Sequence, residues 1–346
     1  MGDRSIRRIS VIAPMLNEAE HVDGLIGDIA AQDWDGELDV LVADGGSSDG
    51  SVERLRAAAA RARLDVVVLE NPERSVSHAL NRCIRAASGD VIIRIDCHSR
   101  YPSDYVRRCA LAAEETGAEN VGGMLVPTGR TLMERAVAAA LDSAFGGIGW
   151  TRHRTDERRE VDTVTYGAYR REVFDRAGLF DEELVRNQDD EFNLRLRRTG
   201  GRVVLDPSIR VYYTPRGNFR RLFRQYYEYG RWKAPVMRKH GRPTSARSLA
   251  PGAFVLGLAA LIPLSAWHPH AAALLALKVS AYVALAIGFG IAGLRRRREP
   301  WTLLPRIIAV FPTMHLAHGI GMIAGWLRRG GRRSSAVAGN ALASIL

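Results

Sequence analysis

Asp90-Val91-Ile92-Ile93-Arg94-Ile95-Asp96-Cys97-His98 is the stretch that decides how this chain folds. Asp90 to Ile95 is a largely apolar run and reads as a buried strand. In open α/β sheets, ligands bind just beyond the carboxyl ends of strands. Asp96 and His98 stand at such an end. A carboxylate and an imidazole there can hold a divalent metal, and the metal can hold a diphosphate. The bland alternative for the triplet is ordinary loop polarity, so its surroundings must carry the reading.

Working outward, Ile9-Ser10-Val11-Ile12-Ala13-Pro14 reads as a first strand, followed by Asn17-Glu18 and a helical stretch. Leu38 to Ala43 reads as a second strand, ending in Asp44-Gly45-Gly46-Ser47-Ser48-Asp49-Gly50-Ser51. The glycines permit a sharp turn with backbone close to a ligand. Asp49 is placed to cap the next helix, and Asp44, at the strand tip, to accept hydrogen bonds from a nucleobase or ribose. A third strand is predicted over Val66–Leu69, a helix over Ser75–Ala87, a helix from Tyr101-Pro102 through Glu115, and a fifth strand over Val121–Leu125. Such alternation specifies α/β layers around a largely parallel sheet.

These blocks, in this order, resemble the inverting family 2 glycosyltransferases of the GT-A fold. Within that family the likeness is to the membrane-bound succinoglycan-type glucosyltransferases. It is carried by Val11-Ile12-Ala13-Pro14 with Asn17-Glu18, by Asp44 to Ser51, by Asn71-Pro72, Asn81 and Gly89-Asp90, and by Arg94 to His98. It continues in Gly167 to Phe174, Gly178 to Glu182, Asn187 to Phe192, and Gln225 with Tyr229-Gly230-Arg231-Trp232. The family's common Asp-x-Asp is here Asp-x-His, and its Glu-Asp pair on the acceptor side is Gln188-Asp189. The resemblance implies a nucleotide-sugar donor, most simply a UDP-sugar, contacted by Pro14, Asn17, Glu18, Asp44, Arg74 and Asp96. It implies an acceptor and diphosphate side built from Gln188, Asp190, Gln225, Arg231 and Trp232. The acceptor it implies is a polyprenyl-diphosphate-linked saccharide.

The chemistry of a sugar nucleotide fits these residues. The nucleoside diphosphate departs with negative charge, which a divalent cation stabilises as a Lewis acid. Asp96 and His98 would present oxygen and nitrogen to Mg2+ or Mn2+, and imidazole tips the preference toward Mn2+. His98 could instead contact a ribose or the donor sugar. In a single displacement with inversion, one carboxylate removes the proton of the attacking hydroxyl, and Asp189 is the candidate. Its alternative is a cap of the helix that runs through Phe192, Leu194 and Leu196. Asp190 and Glu191 favour the N-terminus of that helix. Cys97 reads as packing. Tyr226, Tyr227 and Tyr229 can stack on an acceptor sugar or sit at a membrane interface.

Composition divides the chain. It has 346 residues and a net charge of +11. Residues 1–245 read as a GT-A domain, including an interfacial helix near 218–240. Residues 246–330 read as a membrane region of about three helices, and 331–346 as a tail. Leu249–Trp267, Ala271–Leu294 and Ile307–Leu327 are each near the ~20 residues needed to cross a bilayer. Arginines gather at their ends: Arg238, Lys239, Arg242 and Arg247, then Arg295–Arg298, then Arg328, Arg329, Arg332 and Arg333. That is a positive-inside pattern and an anionic-lipid footprint, rather than a nucleic-acid surface. It predicts a multi-pass protein of the inner (plasma) membrane with its catalytic domain cytoplasmic and a short outer turn at His268-Pro269-His270. Pro305, Arg306 and Pro312 predict a broken start to the third segment, as an interfacial helix leading into a re-entrant or short span. No secretory signal peptide is expected, and Cys83, Cys97 and Cys109 predict no disulfide framework. A processive synthase, or a membrane protein with a degenerate sugar-nucleotide domain, is the alternative; three segments are too few to enclose an export channel.

Overall fold

The computed structural model describes residues 5–146, 156–241, 243 and 245–328. The tail at 331–346, and Arg242, Arg329, Arg332 and Arg333, lie outside the described residues. The described chain forms two compact units, one from 5–126 and 156–213, the other from 127–146 and 214–328.

The first unit is a mixed α/β sheet with helices. Its first strand, β1 (Arg8–Met15), is buried from Ile9 onward. Then come α1 (Val22–Ala30), β2 (Glu37–Asp44), α2 (Ser51–Ala62), β3 (Val66–Glu70), α3 (Val76–Ala86) and β4 (Val91–Arg94). β-Branched runs suit strands buried on both faces, where helices cover a parallel sheet. β1 pairs in parallel with β2 and β4, and β2 with β3. The register Met15↔Asp44 and Ile12↔Arg94 puts the carboxyl ends of β1, β2 and β4 at one edge.

Beyond β4 the sheet turns antiparallel, which corrects the expectation of a largely parallel sheet. β5 (Ser99–Arg100), α4 (Tyr105–Thr116), β6 (Asn120–Pro127), β7 (Arg159–Glu160) and β8 (Ala168–Arg170) follow. Then come α6 (Glu172–Ala177), α7 (Gln188–Arg198) and β9 (Val203–Tyr213); α5 belongs to the second unit. β8 runs antiparallel to β4 and β6, and β9 antiparallel to β5 and β7. The order is β3-β2-β1-β4-β8-β6-β9-β5. The physical reason is length: β5, β7 and β8 are too short to carry a hydrophobic period. One core lies between the sheet and α1, α2 and α4, and a second beneath α3, α6 and α7.

The second unit is helical: α5 (Leu132–Leu141), α8 (Phe219–His240), α9 (Ala250–Leu264), α10 (Pro269–Arg297) and α11 (Leu304–Leu327). Thr131 and Glu134 form a capping box on α5. α8 realises the helix expected near 218–240, and Asn218 caps it by accepting the Arg221 N–H at 2.8 Å. Among the described residues, three helices are long and apolar enough to cross a membrane, over Ala246–Leu264, Pro269–Arg297 and Trp301–Leu327. The third differs from expectation. The break falls before it, at a 3-10 turn over Trp301–Leu303, and Pro305 occupies the first turn, where proline is tolerated. The helix then runs unbroken through Pro312.

α11 is half buried, whereas α9 and α10 keep most of their apolar surface exposed. α11 packs on α8 through glycines. A side chain at Gly230 would strike the His318 carbonyl, and one at Gly321 the Tyr227 carbonyl. Some arginines of the boundary clusters are used within this unit. Arg297 pairs with Asp142 at 2.6 Å and donates to the Pro127 carbonyl, and Arg295 lies over the Trp301 ring.

Candidate active site

The sheet edge at the ends of β1, β2 and β4 carries Pro14, Asn17, Glu18, Asp44 and Asp96. The β2–α2 loop is held by its own polar groups. Asp44 accepts hydrogen bonds from the Gly46 and Ser47 amides, both 3.0 Å, and from the Ser47 hydroxyl at 2.5 Å. Gly46 and Gly50 have φ of 77° and 84°, a region open to glycine. Asp49 differs from the expected N-cap, since Gly50 holds that position. Asp49 instead accepts from the Ser51 amide at 3.1 Å and the Ala19 amide at 3.0 Å, tying the loop to the turn after β1. Burial pushes its carboxyl up, but the hydrogen bonds from Ser51 and Ala19 win and hold it below the ordinary range.

The same tie positions Asn17 and Glu18. Asn17 donates its amide to Ser47 Oγ and accepts the Ser48 amide on its side chain, at 2.8 and 2.9 Å. The Glu18 amide donates to Ser51 Oγ at 2.8 Å. Glu18 is buried, with Oε2 lacking a hydrogen-bond partner among the described residues, and Oε1 lies 3.9 Å from His98 Nδ1. Pro14 is buried at the end of β1, and its carbonyl accepts the Cys97 thiol at 3.6 Å. Burial pushes that thiol well up, and the carboxylates of Glu18, Asp96 and Asp44 push it further. Cys97 is therefore a packed thiol, as expected. Cys83 and Cys109 are free and buried too. Asn71 donates its amide to the Asp44 carbonyl at 2.8 Å, which brings Arg74 to the same loop. Arg74 has φ of 53° and a buried Nε with no hydrogen-bond partner among the described residues.

Asp96 follows β4. Its amide donates to the Tyr101 hydroxyl at 2.7 Å, which fixes the backbone and leaves the carboxylate 17% exposed. His98 is 26% exposed. Among the described residues, no group of three or more His, Cys, Asp or Glu closes around a cation. Two donors still fit the chemistry, because Mg2+ and its relatives bind through one or two protein ligands plus substrate phosphates. The buried Glu18 carboxylate, with Oε1 3.9 Å from His98 Nδ1 and Oε2 4.0 Å from His21 Nε2, adds a negative charge that suits a cation there.

Asp189 is the second residue of α7, not its cap. Asn187 holds the cap position with φ of 62° and makes no side-chain cap bond. The helix is anchored by Phe192, which lies 4.9 Å from Phe180 and 5.3 Å from both Tyr169 and Phe174, ring to ring. Gln188 is buried and Asp190 half-buried. Glu191 is fully buried and paired to Arg195 at 2.7 Å, so it is committed to the core. Sequence reasoning missed the partner of Asp189, the guanidinium of Arg94, which forms a close ion pair with it and lies 3.7 Å from Asp96. Burial pulls Arg94 down, and Asp189 and Asp96 push it above its ordinary value. A signal existed: a lone arginine within a fully buried strand requires opposite charge.

The chain matches the family described as Glycosyl transferase family 2 over residues 10–178. It is 32% identical over 315 residues to the succinoglycan biosynthesis protein ExoA of Rhizobium meliloti, covering 90% of this chain and 92% of that relative. The chain belongs to glycosyl transferase family 2. This family 2 glycosyltransferase is also 31% identical over 127 residues to the undecaprenyl-phosphate 4-deoxy-4-formamido-L-arabinose transferase of Aeromonas hydrophila, covering 36% of this chain and 39% of that one. Among solved structures it is similar to a mannosyltransferase from Pyrobaculum calidifontis in complex with GDP-Man and Mn2+. The TM-score is 0.61 at 23% identity, over 89% of this chain and 86% of that chain, a likeness of fold. The GT-A fold of the first unit is thereby established.

Gln225, Arg231 and Trp232 of this glycosyltransferase lie on α8, in the second unit. Gln225 donates to the Tyr229 hydroxyl at 3.0 Å, and Arg231 pairs with Glu228 at 3.1 Å. Tyr226 and Tyr229 meet edge to face at 5.7 Å.

Proposed function

We propose that this protein moves a hexose from a nucleotide sugar, a UDP-sugar, to a saccharide carried on a polyprenyl diphosphate, with inversion. The observation that carries this reading is Asp189. It stands off the cap position and pairs with Arg94, which also lies 3.7 Å from Asp96, and this supports a donor-side and an acceptor-side carboxylate acting together. The names of relatives support a polyprenyl-phosphate-linked substrate: the Aeromonas enzyme is an undecaprenyl-phosphate transferase, and a Methanococcus voltae relative, 25% identical over 239 residues, is named for a dolichyl phosphate sugar. The complex of the Pyrobaculum enzyme with GDP-Man and Mn2+ supports a divalent cation on this fold.

On this reading Asp44, with Pro14, Asn17 and Glu18, takes the nucleoside, and the unpartnered Arg74 Nε donates to the diphosphate. Asp96 and His98 hold Mn2+ or Mg2+, which when bound supplies Lewis-acid stabilisation to the departing diphosphate. Asp189 accepts the proton of the attacking sugar hydroxyl. Gln188, Asp190, Gln225, Arg231 and Trp232 serve the acceptor and its diphosphate. The three apolar helices anchor the protein in the inner membrane as a multi-pass chain, with catalytic unit and Arg295–Arg298 cytoplasmic and the basic ends on anionic lipids. No nucleic acid is a partner.

The test is transfer. Membranes holding the protein are given labelled UDP-sugars with Mn2+, and the lipid extract is counted. Label in a mild-acid-labile lipid supports the proposal. Label that stays wholly in the aqueous phase for every UDP-sugar, with folded protein, refutes it.

A further inference from the structure

We infer that Arg94 is a positioning residue that holds the Asp189 carboxylate in its working orientation; this rests on the proposed role of Asp189 as base. All of β4 is buried, and Arg94 is its last residue. A guanidinium stays charged at any pH the protein meets, and a buried charge is tolerated only when paired. Asp189 supplies the partner from a distant segment, 95 residues along the chain. The contact runs from one terminal nitrogen to Asp189 Oδ1, which restricts how the carboxylate can turn.

The guanidinium is itself held on several sides. Its other terminal nitrogen lies 3.7 Å from Asp96. The Tyr166 ring lies beneath it at 5.8 Å. Tyr166 has φ of 55°, a left-handed conformation that aromatic residues rarely adopt and that concentrates at functional sites. The Arg94 amide donates to the Gly167 carbonyl at 3.0 Å, joining strand and strained turn. Arg94 Nε is buried without a hydrogen-bond partner among the described residues. A core placed only for stability favours an apolar residue here, since a buried ion pair is weak support for a fold. A charged side chain kept at this point, between two carboxylates of the site, is explained by control of Asp189.

The test is a cycle on turnover by full-length protein in detergent, with Arg94→Met, Asp189→Asn and the double variant. Nucleotide binding is measured on each. Arg94→Met is expected to lower kcat by about 10²-fold, the cost of a displaced group near the chemistry, with nucleotide affinity near wild type. In the Asp189→Asn background the same change costs little more, because residues acting as a unit are not additive. Arg94→Lys keeps the charge without the planar fork and recovers part of the loss. Equal losses in both backgrounds overturn the inference while leaving the base assignment standing. Near-normal turnover in Asp189→Asn overturns the base assignment and the inference with it. If Arg94→Met fails to bind nucleotide, the Lys variant decides: a folded Arg94→Lys with full kcat, or loss of folding in both, makes the residue structural and overturns the inference.

Discussion

Asp189 is ion-paired to Arg94, the last residue of a buried strand. Asn at 189 keeps the hydrogen bond to Arg94 but cannot take a proton. Turnover of Asp189→Asn is expected to fall roughly 10²–10⁴-fold, with nucleotide affinity close to wild type; stopped assays with a calorimetric titration check both. A mere cap would be served as well by Asn, and Asp189 is not the cap. At the proposed metal site, His98→Asp replaces nitrogen with oxygen. Activity is expected to persist and shift from Mn2+ toward Mg2+, read from the metal dependence of rate. Activity that persists with its Mn2+ preference unchanged would move His98 to the donor sugar. The places of Asp96 and Asp189 were legible in the sequence because one follows a strand of strong pattern and the other lies in the first turn of a patterned helix. The Arg94–Asp189 pair was not, because no periodicity links positions so far apart; only the oddity of arginine in an apolar run hinted at it.

At the scale of elements, local pattern and partner choice separate. β1, β2 and β4 were readable because Val and Ile runs bounded by Gly, Pro and Asp leave little choice. β5, β7 and β8 were not, as two or three residues hold no period. The glycines of the long helices show the same split. Gly288 on α10 faces open space, while Gly321 on α11 lies against the Tyr227 carbonyl. Alanine at 288 is expected to stabilise by up to about 1 kcal/mol through helix propensity. Alanine at 321 must push α8 and α11 apart and costs about 1–3 kcal/mol. Thermal melts in one detergent compare the two, and equal shifts would contradict the close packing.

The chain divides into a sheet unit and a helical unit. The apolar segments announced themselves, yet residues 127–146 and 214–241 join the helical unit rather than the sheet. Sequence shows that α5 is apolar and α8 amphipathic; which unit buries those faces is a tertiary choice. The described part of the helical unit is expected to hold the protein in the bilayer. Membranes washed with high salt and alkaline carbonate should retain the full chain, and its release into the supernatant would contradict a spanning protein.

The central claim is metal-assisted hexose transfer from a nucleotide sugar by Asp96, His98 and Asp189. Its most direct measurement is nucleoside diphosphate release by purified protein in detergent, across a panel of sugar nucleotides with a polyprenyl-diphosphate saccharide, with Mn2+ and with excess chelator. The account predicts acceptor-dependent release for a UDP-sugar that stops with chelator and is all but lost in Asp189→Asn. Undiminished release in chelator, or release untouched by Asp189→Asn, would contradict it.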